Sequence, residues 1–125
     1  MTPIVFINCK DFPFIDQIIS GKKIWETRNR NTLGRLVGKR VLFAETGKGK
    51  PVVRCEAEIC APIRIDNPDV WDELRDATCV PAGSKYDWKP ETKEKVIYFV
   101  RKVKKVRKYI PKDGIRHGRV WMEEE

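Results

Sequence analysis

The segment from residue 52 to residue 65 constrains the fold more than any other part of the chain. It alternates between an apolar and a mostly polar series, and the apolar series is Val53, Cys55, Ala57, Ile59, Ala61, Ile63 and Ile65. Successive side chains of a β-strand point to opposite faces of the sheet. The alternation therefore predicts a long strand with one face on a core and the other largely in solvent, as in antiparallel sheets.

Other apolar runs predict further strands. They lie at residues 3–8, 39–46, 95–110 and 120–122. In the run at 95–110 the apolar positions shift phase between Val103 and Val106, which predicts a β-bulge. Residues 78–93 show no period and combine Gly, Pro and Ser with aromatics, which indicates an irregular segment lying over a site.

Two helices are also expected. Apolar residues at helical spacing between residues 14 and 19 predict the first, with Asp11 as its N-cap and Ser20-Gly21 as its end. Asn67-Pro68-Asp69 opens the second. The elements together predict the α+β class, as a small, mostly antiparallel, partly open β-barrel with two or three short helices.

Length and hydropathy narrow the class of protein. A chain of 125 residues can bury one core, so we expect a single domain over residues 1–125. No apolar run reaches the roughly 18 residues that a membrane-spanning helix needs. The N-terminus lacks the basic and long apolar regions of a signal peptide, which predicts a cytoplasmic protein.

The charge is positive and unevenly distributed. The formal net charge is +8, and nine of the nineteen residues from Arg101 to Arg119 are Lys or Arg. Acidic residues gather instead at residues 66–76 and at the C-terminal end. This segregation favours an anionic partner, of which nucleic acid is the commonest. The alternative is that the lysines only keep the protein soluble.

Cysteine and histidine usage does not indicate a metal site. There are four cysteines without a C-x-x-C pair, and His117 is the single histidine. Structural zinc sites need four ligands, usually in two close pairs. We therefore expect buried free thiols in a reducing compartment, with no metal and no cofactor.

The stretch from Gly21 to Arg28 places charged residues where a strand normally buries apolar side chains. In a regular strand Glu26 and Arg28 lie on one face, about 7 Å apart, while Thr27 lies on the other. Glu26 and Arg28 can therefore form a charge pair. Lys23 lies where a helix ends and the strand begins, so a twist there could turn its ammonium toward the same cleft.

Several side chains in and near this stretch have more than one possible role. A partly buried Lys23 beside Arg28 has a lowered pKa, which suits a base, whereas a protonated Lys23 binds phosphate. Trp25 or Trp88 can stack on a base, and Arg28 or Arg30 can bind a phosphate or a base edge. The alternative is a surface strand with a structural salt bridge and core aromatics.

The stretch also carries a family resemblance. Gly21-x-Lys23-x-x-Glu26-x-Arg28 resembles the G-x-K-x-x-E-x-R signature of ASCH domains, small β-barrels with the PUA-like fold. The strands at 39–46 and 52–65 also resemble those of this family. The resemblance implies a cleft with Lys23, Glu26 and Arg28 at its floor, and a role in recognising RNA or a nucleotide.

The same resemblance implies possible catalysis. Some ASCH proteins are amidohydrolases of acylated cytidine, which use a lysine, a threonine three residues later and a distant glutamate. Lys23 matches that lysine, but the position three residues later is Glu26. Other members are metal-dependent ribonucleases that use a lysine with a tyrosine and a serine. Ser84 and Tyr86 are the candidate partners here.

Three functions therefore remain open. The first is binding of RNA or a nucleotide-like ligand in a basic cleft, by Lys23, Trp25, Glu26, Arg28, Arg30, Ser84, Tyr86 and Trp88. The second is hydrolysis of a modified nucleoside or of RNA, with Lys23 and Glu26 as candidate catalytic residues. The third is protein interaction, in which Lys23, Glu26 and Arg28 would be fully paired and closed to solvent.

Overall fold

The alternating segment forms an interior strand of a six-stranded sheet. The computed structural model describes residues 2–112 and 121–123. The strands are β1 (Pro3–Asn8), β2 (Trp25–Arg28), β3 (Arg40–Thr46), β4 (Val52–Ile65), β5 (Lys95–Tyr109) and β6 (Trp121–Glu123). Strand β4 has the bounds that the alternation predicts.

The strands follow the order β2-β5-β4-β3-β1-β6. Strands β1 and β3 run parallel, and the other neighbouring pairs run antiparallel. Among the described residues, β2 and β6 are the two edges of the sheet and do not pair with each other. The predicted α+β class is therefore confirmed as a mixed sheet with helices, whereas closure into a barrel is not observed.

In the part of the chain that the structure describes, two α-helices and one 3₁₀ turn join the strands. They are α1 (Phe14–Ile19), α2 (Pro68–Thr78) and the 3₁₀ turn Gly34–Leu36. The end of α1 is as predicted, because Gly21 has a φ of 82° and its N–H donates to Ile18. Asp11 as N-cap was wrong, since α1 follows Pro13 without a side-chain cap. In the described part of the chain, no helix is long and apolar enough to cross a membrane.

The main core lies between α1 and the sheet. Ile15 and Ile18 of α1 are fully buried in one cluster with Val41, Phe43 and Ile59. Burial of such side chains contributes about 1.5–3 kcal/mol each. Helix α2 covers another part of the sheet, where a separate cluster forms around Trp71. Tyr86 packs against both clusters and so lies between the two covered regions.

The predicted irregularity of the last long strand is present. The pairing of β5 with β4 shifts between Arg101 and Lys104, and again between Lys105 and Tyr109. Lys102 has a φ of 53°, which is uncommon for a residue with a side chain. Val103 and Val106 lie within these two shifts, so the phase change in the sequence reflects bulges in β5.

The irregular segment after α2 is held by one buried carboxylate. Asp87 accepts hydrogen bonds from Trp71 Nε1 at 2.7 Å, from the Gly83 N–H at 2.7 Å and from the Trp88 N–H at 2.8 Å. Burial raises the pKa of Asp87, but these hydrogen bonds outweigh burial and lower the pKa to about 2. The carboxylate therefore fixes this segment to α2.

We expect Asp87→Ala to lower the free energy of unfolding by about 2–4 kcal/mol, because it leaves the buried Trp71 N–H and two backbone N–H groups without an acceptor. A folded-state pKa below the unfolded value of about 3.9 stabilises the fold above that value. The difference from wild type should therefore be constant above about pH 5 and shrink as the pH falls from about 4 to about 2. Urea unfolding at each pH measures it.

The control for this prediction is Asp66→Ala. Asp66 is exposed and makes no hydrogen bond or ion pair with the described residues. We expect its substitution to change stability by less than about 0.5 kcal/mol. Equal destabilisation by the two substitutions would contradict a special role for Asp87.

Candidate functional site

A cleft of about 360 Å³ opens between β1, β2 and the irregular segment after α2. Its lining residues are Phe6, Ile7, Asn8, Phe14, Lys23, Glu26, Thr27, Arg28, Asn29, Thr46, Val80, Lys85, Tyr86 and Lys95. Four of these side chains are cationic and one is acidic. The cleft therefore has an excess of positive charge.

Lys23 lies at the floor of the cleft, where the chain passes from α1 to β2. Its backbone N–H donates to Gln17 at 3.0 Å, and the next N–H, of Ile24, donates to Ala77 at 3.1 Å. These bonds fix the junction between α1 and α2. The side chain is buried, with the residue 2% exposed, and its Nζ donates to the Thr78 carbonyl at 2.5 Å.

Glu26 is the shared counter-ion of the cleft. Its Oε2 lies 3.2 Å from Arg28 Nη2, and its Oε1 lies 3.8 Å from Lys23 Nζ. Oε1 also accepts from the Thr27 N–H at 3.0 Å, and Arg28 Nη2 donates to the Phe6 carbonyl at 3.1 Å. The charge pair that alternation predicts between Glu26 and Arg28 is therefore present, and Lys23 joins it.

The charges of this trio do not cancel. Two cations share one carboxylate, so one positive charge remains at the floor. Burial lowers the pKa of Lys23, the Glu26 carboxylate opposes that effect, and Arg28 adds to it. The lysine is therefore easier to deprotonate than an exposed one.

Of the other predicted residues, Tyr86 also lines the cleft. Its ring makes edge contacts with Phe14 and Phe12, at centroid distances of 5.4 Å and 6.0 Å. Thr27, expected on the opposite strand face, lines the same cleft. No hydrogen bond joins its hydroxyl to Lys23 among the described residues.

The remaining predicted residues lie away from the cleft. Trp25 packs on Phe99 with a ring-centroid distance of 5.5 Å, and Trp88 packs against the cluster around Trp71. Ser84 Oγ is buried without a hydrogen-bond partner and does not line the cleft. The structure thus brings Lys23, Glu26, Arg28 and Tyr86 together and leaves these three side chains outside.

Arg30 lines a neighbouring groove of about 500 Å³, called here the outer groove. Its lining residues are Asn29, Arg30, Arg64, Lys85, Asp87, Lys89, Glu91, Thr92, Lys93, Glu94 and Lys95. Asn29, Lys85 and Lys95 line both the cleft and the outer groove. The two spaces therefore meet at these three residues.

Sequence reasoning missed several polar residues of the cleft wall, including Lys95 and Asn29. Lys95 is buried, and its Nζ donates to Asn29 Oδ1 and to the Tyr86 carbonyl, each at 2.9 Å. Asn29 directly follows the charged stretch and could have been included on that ground. Lys95 lies far along the chain, and the sequence carries no signal that brings it to the cleft.

A purely structural motif would have Lys23, Glu26 and Arg28 fully paired and closed to solvent, and the structure meets only part of this expectation. Its members are paired with one another, and Lys23 and Glu26 are buried. However, the Arg28 side chain is 17% exposed and all three residues line an open cleft. Arg28 Nε also has no hydrogen-bond partner within the described part of the chain. The trio is therefore not closed to solvent.

The cysteines do not form a reactive or metal-binding group in the described structure. All four are free, with Cys9 and Cys55 buried and the other two half-buried. Burial raises the pKa of Cys55 to about 12, which makes this thiol a poor nucleophile. Across residues 2–112 and 121–123, no three His, Cys, Asp or Glu side chains come close enough to hold a metal ion.

Comparison with known proteins identifies the fold of this chain. No family model and no curated protein matches this sequence. The solved structure of ASCH from Zymomonas mobilis is similar, with a TM-score of 0.76 and 17% sequence identity over 97% of this chain and 85% of that one. Two variants of that ASCH protein, with a serine-to-alanine and a tyrosine-to-phenylalanine substitution, also give TM-scores of 0.76, at 18% and 17% identity. They cover 97% of this chain, and 86% and 88% of their own. The chain therefore has the ASCH-domain fold, as its resemblance to the signature implied.

Proposed function

We propose that this chain is a single-domain, cytoplasmic ASCH protein that binds RNA or a nucleotide-like ligand in the cleft around Lys23, Glu26 and Arg28. The observation that carries the proposal is the sharing of one carboxylate by two cations, the buried Lys23 and the half-buried Arg28. The site therefore offers positive charge and N–H donors in a low-dielectric setting, where both act strongly on an anionic or acceptor-rich ligand.

The shape and the apolar lining of the cleft support the same proposal. Its volume of about 360 Å³ lies in the range typical of small-ligand sites. Tyr86 and Phe14 present aromatic rings on its wall. A base can stack on such a ring with a contribution of about 1–3 kcal/mol.

A longer RNA would also have a surface on which to extend. The outward part of β5 carries six exposed cations, Arg101, Lys102, Lys104, Lys105, Arg107 and Lys108. Arg101 and Lys102 pair with Glu58, whereas the other four make no ion pair with any residue that the structure describes. These four are available to phosphates.

We expect Lys23→Met and Arg28→Met each to weaken binding of single-stranded RNA hexamers at least about tenfold, because each removes a charged donor from the cleft. Fluorescence anisotropy with a labelled hexamer pool measures the affinity. The affinity of the wild type should fall with salt, with a log–log slope of about −0.7 for each phosphate contact.

The matched control is Lys22→Met, which removes the same charge from an exposed neighbour of Lys23. It should leave the affinity nearly unchanged. RNA binding that is absent in the wild type, independent of salt, or equally weakened by Lys22→Met would contradict the proposal. Thermal melts of each variant separate a lost contact from a lost fold.

Hydrolysis of a modified nucleoside or of RNA is the second candidate, and one observation favours it. The lowered pKa of the buried Lys23 suits a general base or an activator, which must be neutral to accept a proton. Glu26 would then position Lys23 through their 3.8 Å contact. The same lysine cannot serve as a base while it remains protonated.

If Lys23 is the base, Lys23→Ala should abolish product formation from acylated nucleosides or RNA while the fold is retained. The rate should rise with pH through the pKa of Lys23, and this rise should lie below pH 10.5, because burial lowers that pKa. Chromatography of reaction products across a pH series measures both. Product that forms equally well without Lys23, or no product from any substrate, would eliminate the enzymatic candidate.

A further inference from the structure

A second buried lysine forms part of the cleft wall without a carboxylate partner. Lys95 begins β5 and is only 5% exposed. In the described part of the chain, no Asp or Glu oxygen lies within ion-pair distance of its Nζ. Burial lowers the pKa of Lys95, while the Asp87 carboxylate, which lies beyond ion-pair distance, acts in the opposite direction. A bound anion would further offset the cost of burying the ammonium.

The contacts of Lys95 leave one N–H group without a hydrogen-bond acceptor. Two of the three N–H groups of its ammonium are taken by Asn29 Oδ1 and the Tyr86 carbonyl. Its Nζ also lies over the Trp71 ring, 5.4 Å from the ring centroid. Because the Asn29 oxygen faces the ammonium, the Asn29 amide nitrogen is directed elsewhere, and it makes no hydrogen bond to the described residues. Lys95 therefore retains one N–H group, and Asn29 retains its amide N–H groups, where both residues line the cleft and the outer groove.

These donors lie where the cleft meets the outer groove. Asn29, Lys85 and Lys95 are the residues that line both spaces. Lys85 is largely exposed, and its ammonium is paired with Asp11 at 2.9 Å, at the rim. The junction thus combines two cations and an amide, and a tetrahedral oxyanion can accept from all three.

We propose that Lys95, Asn29 and Lys85 form a phosphate subsite, so that the ligand of the cleft is a phosphorylated nucleotide and not a bare nucleoside. The proposal rests on the function proposed above and specifies its ligand class. The base occupies the cleft beside Tyr86, and the phosphate lies at the junction. A terminal phosphate and a phosphodiester of RNA present the same chemistry there.

Isothermal titration calorimetry at fixed ionic strength tests the subsite. The probes are the four common ribonucleosides, their 3′- and 5′-monophosphates, and the matching dinucleoside monophosphates. We expect at least one phosphorylated probe to bind about tenfold or more tightly than its nucleoside. Tight binding of the dinucleoside compounds identifies a phosphodiester, and tight binding of the monophosphates alone identifies a terminal phosphate. Both results support the subsite.

Two variants and one control make the test specific. Lys95→Met removes the ammonium, and Asn29→Asp keeps the acceptor for Lys95 but adds a negative charge at an exposed position. Both substitutions should abolish the advantage of the phosphorylated probe, which is its tighter binding relative to its nucleoside. Lys39→Met removes one exposed charge that lines neither space and should retain the advantage. Circular dichroism shows whether each variant is folded. If Lys95→Met does not fold, the result for Asn29→Asp alone tests the subsite.

The experiment distinguishes failure of the subsite from failure of the proposed function. If nucleosides and their phosphates bind equally well, the subsite is wrong while the proposed function stands. If Lys39→Met reduces the advantage as much as the other two variants, the effect comes from net charge, and the subsite is again wrong. If no nucleoside, nucleotide or dinucleotide binds, the proposed function fails together with the subsite.

Discussion

The sharing of the Glu26 carboxylate by Lys23 and Arg28 is the interaction on which the cleft depends. Burying three charges has a large desolvation cost, and the cost is offset only when each charge has close partners. Here those partners come from three elements. Lys23 donates to the carbonyl at the end of α2, Arg28 donates to the Phe6 carbonyl in β1, and Glu26 belongs to β2. The same contacts that satisfy the charges therefore hold the cleft walls together.

Local patterns were sufficient to predict much of this architecture. The alternation at Val52–Ile65 gave the bounds of β4, and the glycine at position 21 marked the end of α1. The Glu26–Arg28 pair followed from the two-residue period of a strand. These features depend on neighbours in the chain, so they can be read from the sequence. The N-cap of α1 was mistaken because the helix begins after Pro13, two residues beyond Asp11, and Asp11 instead pairs with Lys85.

Sequence reasoning misjudged several residues whose surroundings depend on distant contacts. Lys95 reaches the cleft because β5 lies beside β2, and its partner Asn29 is 66 residues away. Trp25 and Trp88 looked suited to base stacking, but both are half-buried and pack against the cluster around Trp71, where burial stabilises large aromatic surfaces. Composition cannot distinguish an aromatic side chain that lines a cleft from one that fills a core. Tyr86 and Trp88, two residues apart, are both half-buried against the core, but of the two Tyr86 alone lines the cleft.

The bulged end of β5 also affects how separate copies of the protein meet. Beyond Val100, β5 pairs with β4 on one side, and among the described residues no strand pairs with its other side. Such an edge can recruit a strand of another molecule and begin aggregation. The positive φ at Lys102 makes this edge of β5 irregular, which disfavours pairing with another strand. A second copy of the same strand would also bring like charges together. The lysines that suit an anionic partner thus also keep identical chains apart.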